Sequence, residues 1–308
     1  MSEPKDTPPH VPFDGRSPIE RAGFSYLPRY IPADHASQLT DYFSRLHPLR
    51  ERRHPQGEHH RVGRSNGQLT RPVVWLGAWQ FASLGYYAEP DHRVDRCLRA
   101  EPIPKTLRDP LAGLSSHLQR NHAIVPSARH APFSSLPNTC LINYYGSQVG
   151  SGPPVDRARL RMHRDGEPGP VVMFNFGQPG LLEFVDPQRS DRPVLSVWTR
   201  HRSAVIFSGP EFKDRLYHRI QKVRFGKDPV LVSPLDGFSL RRVSVSFRHV
   251  PESLILDLDQ FSEPARAAVL PYVTELAKKS QHFEAQLRLA RRLTGDASPD
   301  EAFGKTLG

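Results

Sequence analysis

A chain of 308 residues is long enough to bury a sizeable core, as one large domain or two small ones. Its 42 Lys+Arg against 32 Asp+Glu leave a net charge of +10, which favours polyanionic partners such as nucleic acid or an anionic cosubstrate. Cys97 and Cys140 alone build neither a disulfide framework nor a four-cysteine metal site, and no apolar run reaches the ~20 residues that span a bilayer. The expectation is a monomeric cytoplasmic protein with no membrane partner.

Residues 1–22 are polar and Pro-rich, lack an apolar signal core, and read as a disordered lead-in. From Pro32 the spacing of Leu39, Tyr42, Phe43 and Leu46 predicts a helix that Pro48 ends. Residues 50–71 form a basic, His-rich stretch that suits a solvated loop as well as a binding one. Over 104–119, Leu107, Leu111, Leu114 and Leu118 predict a second helix. From 138 to 250 brief runs rich in Val, Ile, Leu and Phe, broken by Gly, Pro and Asp, predict an antiparallel sandwich or barrel. After 250, Ser262 is a candidate helix cap, and helices are expected to about Leu293, stopped by Gly295. Lys278, Lys279, Arg288, Arg291 and Arg292 read as a solvated helix face.

Chemistry concentrates in the strand-rich part. His163-Arg164-Asp165 follows a strand-like run, and in an extended segment the first and third side chains point the same way and can reach one ion. His218 lies downstream, after the strand-like SAVIFSG, and could complete the set. Two histidines and a carboxylate leave coordination positions open, the arrangement of non-haem iron oxygenases, whereas a structural zinc site is closed by four ligands. Alone, His163 and Asp165 make an ordinary surface pair, and ligand type does not separate iron from zinc or manganese. A second cluster adds weight. Arg242-Val243-Ser244-Val245-Ser246-Phe247-Arg248 places Arg242, Ser244, Ser246 and Arg248 on one strand face. Two arginines turned into a barrel are costly unless an anion meets them, and a dicarboxylate would.

The order Asn143-x-Tyr145, His163-x-Asp165, His218, Arg242-x-Ser244-x3-Arg248 resembles the AlkB family of 2-oxoglutarate/Fe(II)-dependent dioxygenases. NTCLINYYG, VVMFNFGQPGLLEFVD and SAVIFSG…RLYHRI are similar to that family's strands around its metal, and LTRPVVWLGAW and LGYYAEP to its nucleotide-recognition region. The likeness spans roughly residues 23–250. Ser244 stands where Asn is common, the turn between Tyr145 and His163 and the stretch from His218 to Arg242 are longer, and the tail after 250 has no counterpart.

The resemblance implies Fe(II) on His163, Asp165 and His218, with no catalytic residue beyond the metal centre. It implies 2-oxoglutarate held at its distal carboxylate by Arg242 and Tyr145, and at its chelating end by Arg248 and Asn143, with Ser244 beside them. Glu167 takes the acidic substrate-contact position, where it could pair with a cationic alkylated base, and Tyr86 and Tyr87 fall in the region covering the substrate base. Arg52, Arg53, Arg61 and Arg64 could carry phosphate contacts at the mouth of the site. The implied fold is α+β, mainly β. Its double-stranded β-helix (jelly-roll) core would be flanked by N-terminal helices, with a dioxygenase domain over 23–250 and a C-terminal helical extension over 251–308. The implied activity is oxidative demethylation of alkylated bases in DNA or RNA, with O2 consumed and formaldehyde, succinate and CO2 released. Two other readings stay open: a same-family hydroxylase or demethylase acting on a small molecule or protein, and a non-catalytic nucleic-acid-binding protein.

Overall fold

A computed structural model of the chain describes residues 11–51, 71–81, 97–121, 137–150, 152–156, 158–188, 192–226 and 231–294. It opens on a hairpin of β1 (Ile19–Arg21) and β2 (Phe24–Leu27), with Ile19 opposite Tyr26. The expected lead-in therefore already carries a strand, and Phe13 bridges to Val197. Tyr26 explains this order: it is fully buried and donates its hydroxyl to the Gly15 carbonyl at 2.9 Å, tying the segment down. Residues 1–10 lie outside the described set.

Helix α1 (Ala33–Ser44) buries Ala36, Leu39 and Phe43 on one stripe, as the spacing predicts. Three short strands follow: β3 (Val73–Leu76), β4 (Ala78–Gln80) and β5 (Cys97–Arg99). The helix expected over 104–119 divides into α2 (Lys105–Gly113) and α3 (Ser115–Asn121). α2 runs through Pro110, and the break comes at Leu114, directly after Gly113, a poor helix former.

The strand-rich half supplies β6 (Thr139–Gln148), β7 (Val155–Asp156), β8 (Leu160–His163), β9 (Val171–Gly177) and β10 (Gly180–Val185). Then come β11 (Pro193–Thr199), β12 (Ser203–Phe207), β13 (Tyr217–Val223), β14 (Phe238–Arg248) and β15 (Ile255–Leu256). One antiparallel sheet runs β1-β2-β12-β9-β14-β6-β3, with β7 added on β6, and a second runs β11-β10-β13-β8. Tyr26, Tyr145, Met173 and Val205 of the first share one core with Leu182, Phe184, Val197 and Ile220 of the second. The two sheets thus pack against each other, compatible with the expected jelly-roll layering. Alternation does the sorting: Val171 and Met173 of β9 face that core, whereas Val172, Phe174 and Phe176 face α1 and α2 through Leu39, Phe43, Leu107 and Leu111.

The tail forms α4 (Glu263–Ala277), with Ser262 at its N-cap position, and α5 (Gln281–Thr294). Val269, Val273, Leu276, Phe283 and Leu287 cover Trp75, Trp79 and Phe81. The Lys278, Lys279, Arg288, Arg291 and Arg292 face stays exposed, as expected. Among the described residues no helix is long and apolar enough to cross a membrane.

Candidate metal centre and cosubstrate cleft

The smaller sheet brings the three candidate ligands together. His163 ends β8, and His218 sits directly across from it on β13. Their ring centroids are 4.2 Å apart. Asp165 lies beside both: Oδ1 is 4.0 Å from His163 Nε2, and Oδ2 is 3.4 Å from His218 Nε2. Ligand atoms of all three residues fall within 4.8 Å of one another.

Each group is poised to donate a lone pair. The Arg161 carbonyl can only accept, so His163 Nδ1, 2.8 Å away, carries its ring proton and leaves Nε2 free toward Asp165. His218 is wedged against Phe184 and Phe207, with ring centroids 5.8 and 4.9 Å away. Burial pulls both imidazoles below the ordinary histidine pKa, so they stay neutral. At Asp165 burial pushes upward, but the Arg248 guanidinium, at 2.8 Å, holds the carboxyl below the ordinary carboxylate range. The result is an anionic ligand beside two neutral ones. Asp165 Oδ2 is buried with no hydrogen-bond partner among the described residues. A divalent cation would satisfy it, so the residues present fit a metal.

The neighbouring cleft is built by β14, β6 and β9. Arg242 pairs with Tyr145 and Gly177, and Ser244 with Asn143 and Asn175. The alternation expected along β14 holds: Val243, Val245 and Phe247 pack into the core against α1 and α2, leaving Arg242, Ser244, Ser246 and Arg248 buried on the opposite face. Ser244 donates to the Tyr145 hydroxyl at 3.4 Å. Arg242 is fully sealed and, among the described residues, is fixed by neutral acceptors alone, namely the Gln178 carbonyl at 3.2 Å, the Thr199 carbonyl at 2.9 Å, Thr199 Oγ1 at 2.8 Å and Asn175 Oδ1. Gly180 lets the guanidinium lie flat, since a Cβ there would sit 2.9 Å from Arg242 Cζ. Burial pushes the Arg242 pKa down to about 10. Its Nε has no partner among the described residues. A buried cation held only by dipoles fits an anionic ligand, and a dicarboxylate is of that kind.

Glu167 is buried next to this centre. It accepts a hydrogen bond from Gln80 Nε2 at 2.7 Å and lies 3.5 Å from Arg248 Nε. Lys213, in a π-helical turn over Pro210–Arg215, is also buried, and the largest charges acting on it are Glu167 and then Asp165. Asn143 accepts from Arg71 Nε at 2.6 Å, so that arginine belongs to the cleft and not to a solvated loop. Glu51 is fully buried as well, accepting from the Trp75 and Trp79 indoles at 3.0 Å each. Tyr86, Tyr87, Arg52, Arg53, Arg61 and Arg64 lie outside the described residues.

Sequence reading missed Asn175, Thr199, Gln80 and Lys213. A signal existed for two of them: Asn175 interrupts the apolar run VVMFNFG, and Gln80 closes the apolar run WLGAWQ.

When bound, Fe(II) and 2-oxoglutarate supply O2 activation, yielding succinate, CO2 and hydroxylation of a nearby C–H. The residues that would hold the metal are His163, Asp165 and His218, with His218 packed against Phe184 and Phe207.

No curated protein matches the chain. Among solved structures, OsALKBH1 is 19% identical, with 75% of this chain and 100% of that one covered and a TM-score of 0.46. A 2OG-Fe(II) oxygenase-family oxidoreductase from Burkholderia pseudomallei is 14% identical, with 73% and 84% covered and a TM-score of 0.41. The model for the 2OG-Fe(II) oxygenase superfamily matches residues 23–248, most of the chain and every residue of the centre just described, and the chain belongs to that superfamily.

Proposed function

We propose that this 2-oxoglutarate-dependent dioxygenase is an AlkB-like enzyme with a jelly-roll core that oxidatively demethylates alkylated nucleobases in DNA or RNA. In this reading His163, Asp165 and His218 hold Fe(II), Arg242 and Tyr145 hold the distal carboxylate of 2-oxoglutarate, and Arg248 and Asn143 serve its chelating end. The observation that carries the nucleobase assignment is the hydrogen bond from Gln80 to Glu167 at 2.7 Å. It joins the residue directly after LTRPVVWLGAW, one of the two runs resembling a nucleotide-recognition region, to the acid two residues past Asp165. A hydroxylated N-methyl group collapses to formaldehyde and the free base, so the chain needs only to seat the base. Bases in single strands are easier to seat than bases that must be flipped from a duplex.

The test is succinate formation across methylated and unmethylated oligonucleotides and free nucleosides. Formaldehyde released only with methylated oligonucleotides supports the reading. Succinate formation stimulated instead by small molecules or proteins sinks it. Glu167→Ala is expected to lower oligonucleotide-dependent turnover at least tenfold, since a charged group's hydrogen bond is worth ~1.5–3 kcal/mol. Unchanged turnover on every oligonucleotide would remove Glu167 from the substrate pocket.

The basic segment 50–71 is the proposed phosphate-binding segment. Both ends are anchored, through Glu51 and Arg71, which fixes where a phosphate-binding loop would start and stop. Neutralising Arg52, Arg53, Arg61 and Arg64 together is expected to weaken oligonucleotide binding. The slope of log affinity against log salt should flatten by roughly 0.7–0.9 for every phosphate that is no longer neutralised. Equal slopes for parent and variant would show that the +10 charge acts diffusely.

A further inference from the structure

Lys213 has no assigned task, and its surroundings give it one. The side chain is 6% exposed, and Nζ has no hydrogen-bond partner among the described residues. An ammonium so buried is costly unless an acceptor reaches it. Its place is well defined. Phe212, the preceding residue, is embedded among Phe24 and Phe184, and Arg164 donates to the carbonyl of Asp214, the following one. The π-helical turn is thus tied on one side to the core and on the other to the His163–Asp165 segment. Such turns recur at functional sites, where they hold a side chain in an unusual position.

The charge balance around it decides what the pocket will take. Among the described residues Asp165, Glu167 and Asp214 are the acids that act on this centre, and Lys213, Arg248 and Arg71 the bases, three against three. The dication and the dicarboxylate that the superfamily binds cancel each other in turn. A cationic alkylated base therefore gains no net attraction, and it would meet the Lys213 ammonium at short range. Lys213 Nζ, without a hydrogen-bond partner among the described residues, offers a donor.

We propose that Lys213 is a specificity-determining residue whose Nζ donates to a carbonyl oxygen of the substrate, so that the pocket selects neutral, carbonyl-bearing methylated bases over cationic ones. The proposal rests on the nucleobase reading above and deepens it by naming the base class. A base with an exocyclic carbonyl beside its N-methyl group presents the acceptor that the ammonium lacks. Charge-assisted hydrogen bonds of this kind contribute about ten- to a hundredfold in affinity.

The experiment measures binding by calorimetry to the Fe(II)-loaded protein under anaerobic conditions, with 2-oxoglutarate present. Ligands are single-stranded oligonucleotides with one N3-methylthymine or one N1-methyladenine, and the corresponding free nucleosides. The parent should hold the neutral carbonyl base about tenfold or more tightly than the cationic one. Lys213→Met, similar in length and uncharged, should erase or invert that order, and Lys213→Arg should restore part of it. 2-Oxoglutarate affinity and the melting temperature of each variant report whether the cleft stays built. The order surviving in Lys213→Met overturns the proposal. So does a loss of 2-oxoglutarate affinity equal to the loss of base affinity, which would place Lys213 with the cosubstrate. Nucleosides bound in the expected order, with oligonucleotides gaining no affinity over them, would sink the nucleic-acid reading and leave Lys213 in its role. No binding of either class by the parent sinks both.

Discussion

His163→Ala, Asp165→Ala and His218→Ala are each expected to abolish iron-dependent succinate formation. In the proposed centre each side chain would supply one ligand of three, and the atoms already lie within 4.8 Å of one another. Loss of a group that merely orients a metal ligand costs 10–100-fold in affinity or activity, so loss of a ligand itself should exceed about a hundredfold. The three variants should differ in what else they disturb. His163 is partly exposed and its loss should hardly touch the fold. His218 is wedged between Phe184 and Phe207, so its removal leaves a cavity and should destabilise the protein by roughly 1–3 kcal/mol. Asp165→Ala strips Arg248 of its partner at 2.8 Å and leaves a buried guanidinium less compensated, so it should be the least stable of the three. Calorimetric Fe(II) binding under anaerobic conditions separates loss of metal from loss of fold. A variant with near-parental turnover would remove that residue from the ligand set.

How much of this could be read from the sequence depends on the range of each interaction. The strand face holding Arg242, Ser244, Ser246 and Arg248 was legible because alternation is local, a property of extended backbone alone. Helix α1 was legible for the same reason, with its period of three and four. The partners of Arg242 were not. Asn175 and Thr199 reach it from β9 and β11, and nothing in the local pattern fixes which strands become neighbours. Lys213 was hidden by its type, since a lysine among Asp214 and Arg215 reads as surface, and only the fold buries it. Residues 11–22 depart from the lead-in expectation because polar composition describes the average of a segment. Two tethers, Tyr26 to Gly15 and Phe13 to Val197, suffice to order part of it. The division of the 104–119 helix had one local signal, Gly113 at the break, which the leucine spacing overrode.

Arg242→Ala is expected to weaken 2-oxoglutarate binding about ten- to a hundredfold or more, because each charge-assisted hydrogen bond contributes about 1.5–3 kcal/mol. Iron affinity should change much less, since Arg242 lies on the larger sheet and the metal ligands on or beside the smaller one. Arg242→Lys keeps the charge but loses the planar fork, so it should recover only part of the affinity. A thermal readout sharpens the case. A ligand that binds only the folded state raises the melting temperature as its concentration exceeds its Kd, so saturating 2-oxoglutarate should stabilise the parent and leave Arg242→Ala nearly unmoved. The alternative is that Arg242 is a structural strut, clamped as it is by Gln178, Thr199 and Asn175. A strut would lower the melting temperature when removed and yet permit the same upward shift with 2-oxoglutarate. An equal shift in parent and variant would therefore take the distal carboxylate away from Arg242.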